Sequence, residues 1–372
     1  IEVFCSSVII LSYLGWVAAQ ITALGLVFNV LTHGEMSETT GMVVGTLAVL
    51  VYVVIGGFLA VAWTDFIQMI VLVVGLSVIA VFSADLAGGA DVVFAKIASK
   101  DLWRFLPEPS FKDVAFFIAA ALTMMLGSIP QQDVYQRVMS AKDVKTARNG
   151  AVIGGISYIL FAFVPMFVVA SAVVVMGDEA LALARDDYQR LLPTFVLGKM
   201  PLVMQILFFG ALLSAIKSTS SATLLAPATS FVENILKNLR PQMGDRQQLR
   251  AMRWSIIGFA AVVLAYAIAM KGTPIYDLVS SAYQVTLVGA FVPLLTGLYW
   301  KRSSTQGAIC SVAAGIAVWV LFLPQVSPLG EAFPGQLAGL LAAVAGMVAG
   351  SLAPQWLKIR HDADHLVRGL NR

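Results

Sequence analysis

The chain has 372 residues, 59% of them hydrophobic and 12% charged, with a mean hydropathy of +0.86. A soluble globular domain carries about 25% charged residues, so a water-soluble fold is excluded and a membrane protein is expected. The formal net charge is only +3, and no nucleic-acid partner is expected.

Windows of about 19 residues mark ten apolar stretches at 2–32, 42–60, 64–86, 113–134, 150–175, 202–232, 254–270, 276–299, 306–325 and 335–353. Each is long enough, or nearly so, to cross a hydrocarbon core of roughly 30 Å as a helix. None shows the short alternating pattern of barrel strands. The fold class expected is therefore all-α integral membrane, with residues 1–353 as the transmembrane domain and 354–372 as a cytoplasmic tail. Lys and Arg set the orientation, because they are retained on the cytoplasmic side. One set of alternate loops holds 15 of the 24, including Arg137, Lys142, Lys145, Arg148, Arg240, Arg246, Arg250, Arg253, Lys301 and Arg302. The other set holds 8, and Lys217 lies within a span. This places both termini in the cytoplasm. Cys5 and Cys310 fall near predicted cytoplasmic helix ends, where a disulfide is not expected. The chain begins at Ile1 without a basic leader or cleavage site, and is read as a fragment of something longer.

Polar groups inside a bilayer are expensive unless partnered, which makes them functional candidates. In chain order, the first span carries Trp16 and Gln20, weak candidates for a solute contact. "GGFLAVAWTDFIQ", residues 56–68, joins two spans by a tight cytoplasmic connection, with Gly56 and Gly57 for the turn and Thr64 or Asp65 as the cap of the next helix. "LGSIPQQDVYQR", residues 126–137, puts Gly127 and Pro130 near the inner end of a span. Proline removes a backbone donor and clashes with the preceding turn, so the helix should break there. Broken helices near mid-membrane point to transporter binding sites, which makes Ser128 and Gln131 solute candidates. A plain helix end at a loop is the alternative.

"SAIKSTSS", residues 214–221, is the strongest cluster. At about 100° per residue, Ala215, Ser218 and Thr219 share one helix face. A carbonyl and two hydroxyls there form a ligand set for a small hard cation such as Na+; alternatively the hydroxyls bond back to carbonyls four residues earlier. Lys217 points about 150° away from that face. It should face an inner vestibule and pair with Asp65 or, second, Asp133. "SSAYQ", residues 280–284, adds Ser280 and Gln284. His361 and His365 in "HDADH" have helical metal-ligand spacing but lack the glutamate of the metalloprotease motif. No phosphate loop and no catalytic triad is found, so an enzyme is not expected.

These residues resemble the sodium:solute symporter family. "GGFLAVAWTDFIQ" is similar to its signature, "QRVMSAKDVKTA" to its cytoplasmic loop, "LLSAIKSTSSATLL" to its ion-site helix, and "GLYWKRSSTQGAI" to the junction after its tenth core helix. The resemblance covers nearly the whole chain. It implies a five-plus-five inverted-repeat core like that of the leucine transporter, here lacking the first core helices, with the last two helices appended. It also implies Na+ as the coupling ion, with ligands at Ala215, Ser218 and Thr219 and with Asp65 near the inner ion path. The aromatic gate pair of the sugar branch falls on Gly127 and Ser128, against a sugar. "IPQQDVYQR" is more like the choline branch and "GGFLAVAWTD" more like the proline branch. The expected function is Na+-coupled symport of a small polar organic solute across the plasma membrane. The rival is a symporter-like membrane sensor domain of a signalling protein.

Overall fold

The computed structural model describes residues 2–99 and 106–356, with residues 2 and 56–60 described by backbone alone. Among the described residues, ten main helices carry the fold: α1 (Glu2–Leu31), α2 (Glu38–Leu86), α3 (Phe111–Leu126), α4 (Gln132–Met139), α5 (Val144–Met176), α6 (Leu202–Leu239), α7 (Asp245–Ala269), α8 (Ile275–Tyr299), α9 (Thr305–Leu321) and α10 (Gly335–Leu352). Among the described residues, eight helical segments are long and apolar enough to cross a membrane. Two of the ten predicted stretches fall outside that set. One became α9, at 17 residues; the other became α3, cut short at Leu126. Both remain helical, so hydropathy found the elements and overestimated their length.

The predicted turn at 56–57 requires correction. Helical hydrogen bonding continues through it, and α2 counts 49 residues, about 74 Å if straight, more than twice the hydrocarbon core. It is not straight. The Tyr52 and Thr64 hydroxyls share a hydrogen bond of 2.5 Å, although twelve residues of straight helix would hold them about 18 Å apart. The two halves therefore fold towards each other and cross separately, counted as Glu38–Ile55 and Val61–Leu86. Thr64 and Asp65 are not caps: Thr64 donates to the Val61 carbonyl, and Asp65 is engaged elsewhere.

The described contacts form two units, each discontinuous in sequence. One comprises residues 9–110 and 131–283. Its core brings Tyr13, Val17 and Ile21 of α1 together with Met42 and Val49 of α2, Val168 and Ala172 of α5, Phe208 and Leu224 of α6, and Ala260 and Val263 of α7. The other comprises residues 1–8, 111–130 and 284–372, with Leu287 and Phe291 packed on Ala343 and Met347. Lipid is as apolar as these side chains, so close backbone approach holds such helices together. At Gly346 of α10, a Cβ would stand 2.6 Å from the Cys310 carbonyl oxygen of α9. Large apolar side chains such as Ile153, Tyr158, Ile159 and Leu160 of α5 stay exposed, as the lipid-facing side of a spanning helix requires.

Candidate functional site

The hydroxyl ladder of α6 divides into two groups. Ser220 donates to the Ile216 carbonyl at 2.6 Å, Ser221 to Lys217 at 2.7 Å and Thr223 to Thr219 at 2.8 Å. These three follow the back-bonding alternative and are buried. Ser218 does not: its hydroxyl donates to Asp65 Oδ1 at 2.5 Å. Ala215, Ser218 and Thr219 are each half-buried, on a helix that runs unbroken from Leu202 to Phe231. The Ala215 carbonyl is therefore not freed by a break, and only its second lone pair is open to a cation.

Asp65 is the hub of a wider network. Its Oδ2 pairs with Arg137 at 2.5 Å. Arg137 also donates to the Asp133 carbonyl at 3.0 Å, and the Asp133 carboxylate accepts from the Tyr13 hydroxyl at 2.6 Å. That hydroxyl in turn accepts from the Asp133 backbone N–H at 2.9 Å. A continuous polar chain thus joins Ser218 on α6 to Asp65 on α2, Arg137 and Asp133 on α4, and Tyr13 on α1.

The predicted pairing of Lys217 is corrected by this arrangement. Its ammonium sits 4.0 Å from the centre of the Tyr52 ring and forms no ion pair among the described residues. Two side chains already hold the Asp65 oxygens, one of them a planar guanidinium suited to carboxylates, while the Tyr52 ring face offers a cation–π site.

The helix break falls where Pro130 predicts. α3 ends at Leu126 and α4 begins at Gln132. The Gly127 carbonyl, buried at the break, accepts from the Thr286 hydroxyl at 2.5 Å, just before the π-helical turn Leu287–Phe291 of α8. Ser128 donates to the Met125 carbonyl at 3.2 Å. Gln131 is 1% exposed. Its amide reaches the Ser12 hydroxyl at 3.5 Å, and its Oε1 has no partner among the described residues. An orphaned buried acceptor costs about 1–3 kcal/mol, so this position favours an added donor.

The remaining candidates divide the same way. Gln284 Oε1 accepts from the Trp319 indole at 3.0 Å. Gln20 and Ser280 are half-buried. Trp16 packs against Tyr283 with ring centres 5.3 Å apart. Sequence reasoning missed Tyr13, Tyr52 and Arg137. Tyr13 had a signal, since 13, 16 and 20 recur on one helix face; Arg137 had been counted only as a loop charge. His361 and His365 lie outside the described residues.

Residues 1–315 match the family model described as the sodium:solute symporter family. The chain is 24% identical over 379 residues to the high-affinity choline transporter 1 of Caenorhabditis elegans, covering 92% of this chain and 64% of that protein. It is 24% identical over 307 residues to the human high affinity choline transporter 1, covering 81% and 52%. With the high-affinity proline transporter PutP of Bacillus subtilis (strain 168) the figures are 28% over 351 residues, covering 92% and 72%. The chain thus spans between about half and three quarters of the length of these relatives. Among solved structures, a Na+-coupled sialic acid symporter in a substrate-bound outward-open state aligns with a TM-score of 0.74 at 20% identity, covering 95% of this chain and 74% of that one. The two share a fold.

Proposed function

Because the chain belongs to the sodium:solute symporter family, we propose that it is the membrane part of a secondary active transporter that moves a small polar organic solute with Na+ across the plasma membrane. It is a multi-pass integral membrane protein. Na+ is cargo here. Its proposed ligands are the Ala215 carbonyl and the Ser218 and Thr219 hydroxyls, with Asp65 on the inner ion path.

The observation that carries the reading is the 2.5 Å hydrogen bond from Ser218 to Asp65. It sets a carboxylate, its charge balanced by Arg137, beside the hydroxyl and carbonyl face; because Ser218 gives its proton to Asp65, the lone pairs of its oxygen face outward, an oxygen-rich setting suited to a hard monovalent cation. The proposed solute contacts are Gln131, Ser128, Ser280, Gln284 and Gln20. Gln131 leads them, because its orphaned Oε1 is ready to accept from a solute N–H or O–H. If ion and solute favour the same conformation, each tightens the binding of the other by the same factor.

The test is Na+-driven uptake by the protein that carries this chain, with radiolabelled choline and proline as first probes. Asp65→Asn and Ser218→Ala should raise the Na+ concentration for half-maximal uptake by about 10-fold or more, since hydrogen bonds to charged groups contribute about 1.5–3 kcal/mol. Solute KM at saturating Na+ should change far less. Uptake equally fast when Na+ is replaced by K+ would sink the reading.

A further inference from the structure

The connection between α6 and α7 carries charge that the transport reading does not use. Together with the adjoining ends of α6 and α7, its basic residues are Lys237, Arg240, Arg246, Arg250 and Arg253, and its acids are Glu233 and Asp245. Glu233 is already committed, to Lys237 at 3.0 Å and to the side-chain amide of Gln248. Arg240 and Arg250 form no ion pair among the described residues. Both line one cavity of about 690 Å³, together with Gln242, Gln247, Leu236 and Met243. The lining offers two guanidiniums and two amides and no carboxylate.

The depth of this cavity relative to the bilayer can be read from its flanks. Leu239, next to Arg240, is 74% exposed, and Trp254, one turn beyond Arg250 on α7, is 72% exposed. Exposed tryptophan at the end of a spanning helix marks the membrane–water interface. Arg250 stands one helical turn to the aqueous side of it, at the level of lipid phosphates. Arginine forks match phosphate oxygens in pairs, and this is the side that the basic loops place against the anionic leaflet.

We propose that the cavity between Arg240 and Arg250 is a binding site for a phosphate-bearing anion, filled in the membrane by the headgroup of an anionic phospholipid whose tail runs along Trp254. The proposal does not depend on the identity of the transported solute.

The experiment is native mass spectrometry of the purified protein titrated with phosphatidylglycerol and, separately, phosphatidylcholine, with and without millimolar inorganic phosphate. Phosphatidylglycerol should bind at least about 10-fold more tightly than phosphatidylcholine, and Arg240→Gln with Arg250→Gln should remove most of that preference. Arg246→Gln with Arg253→Gln, the same loss of charge outside the cavity, should leave it intact. If the glutamine pair aggregates, Arg240→Lys with Arg250→Lys keeps the charge and removes the fork, and should weaken binding about 3-fold. Retention of phosphatidylglycerol against inorganic phosphate supports the lipid as occupant. Displacement by phosphate supports the same site with the free ion as its occupant. Absence of headgroup preference, or equal loss in the Arg246 and Arg253 control, overturns the site.

Discussion

Lys217 and Ser218 are neighbours whose side chains meet opposite halves of α2: the ammonium lies over Tyr52, and the hydroxyl reaches Asp65. A helical wheel separates these directions and sets Lys217 off the face of Ala215, Ser218 and Thr219. It does not show what a neighbouring helix offers, so a carboxylate was expected where an aromatic ring stands. The same limit hid the Arg137–Asp65 pair, whose members are 72 residues apart. Because Lys217 is held by a ring and not by the proposed ion ligands, Lys217→Met should leave uptake Na+-dependent. Its cost should be the cation–π contact, about 0.5–2 kcal/mol, read as a lower unfolding midpoint in detergent. Tyr52→Leu should lower the midpoint in the parent and much less in the Lys217→Met background. If Lys217→Met instead confers Na+ dependence on a transporter that lacked it, the ammonium was standing in for the ion.

At the scale of elements, hydropathy located each main spanning helix among the described residues, because a long apolar run has few alternatives in a bilayer. It misread one of the links between them. The Gly56–Gly57 pair reads as a turn, yet the backbone stays helical there while the flanking halves fold back. At the other link the chemistry was explicit: Pro130 cannot donate to the Leu126 carbonyl, and the helix stops at Leu126. What the sequence could not show was the cure, a hydroxyl from Thr286 on the buried Gly127 carbonyl. Thr286→Val should remove that donor at about 1–3 kcal/mol. In a Pro130→Ala background the restored N–H pairs with the Leu126 carbonyl, α3 can continue, and the Gln131 N–H then becomes the helical partner of the Gly127 carbonyl. The cost of Thr286→Val should then fall by at least half, a coupling that a double-mutant cycle on unfolding midpoints measures. Equal costs in both backgrounds would mean that the hydroxyl and the break are independent.

Sidedness belongs to the whole molecule, and the distribution of Lys and Arg sets it without reference to any contact. The contacts within each unit supply an independent argument. In the first, Arg190 reaches Asn29 at 3.0 Å and also Glu38, and Gln189 accepts from the Ile275 N–H at 2.8 Å. The α1–α2 loop, the 177–201 segment and the α7–α8 loop therefore share one side, the side assigned outward by its few positive charges. In the other unit, Phe111 and Phe322 both pack on Phe333. The start of α3 and the α9–α10 loop thus share a side, also assigned outward. Ser304 donates to Ser351 at 3.2 Å and Gln306 to Pro354 at 3.2 Å, which joins the α8–α9 loop to the end of α10 on the inward side. Two crossings by α2 are essential to this account, since a single crossing would invert every later helix against the charge pattern. The check is single-cysteine labelling in a background with the free Cys5 and Cys310 replaced by serine. Cysteine at Glu35 or Gln325, both exposed, should react with a membrane-impermeant maleimide on intact cells. Cysteine at Lys142 or Lys301, also exposed, should react only after permeabilisation. If Glu35 and Lys142 label from the same side, α2 and the helices after it do not cross as the charges and contacts require.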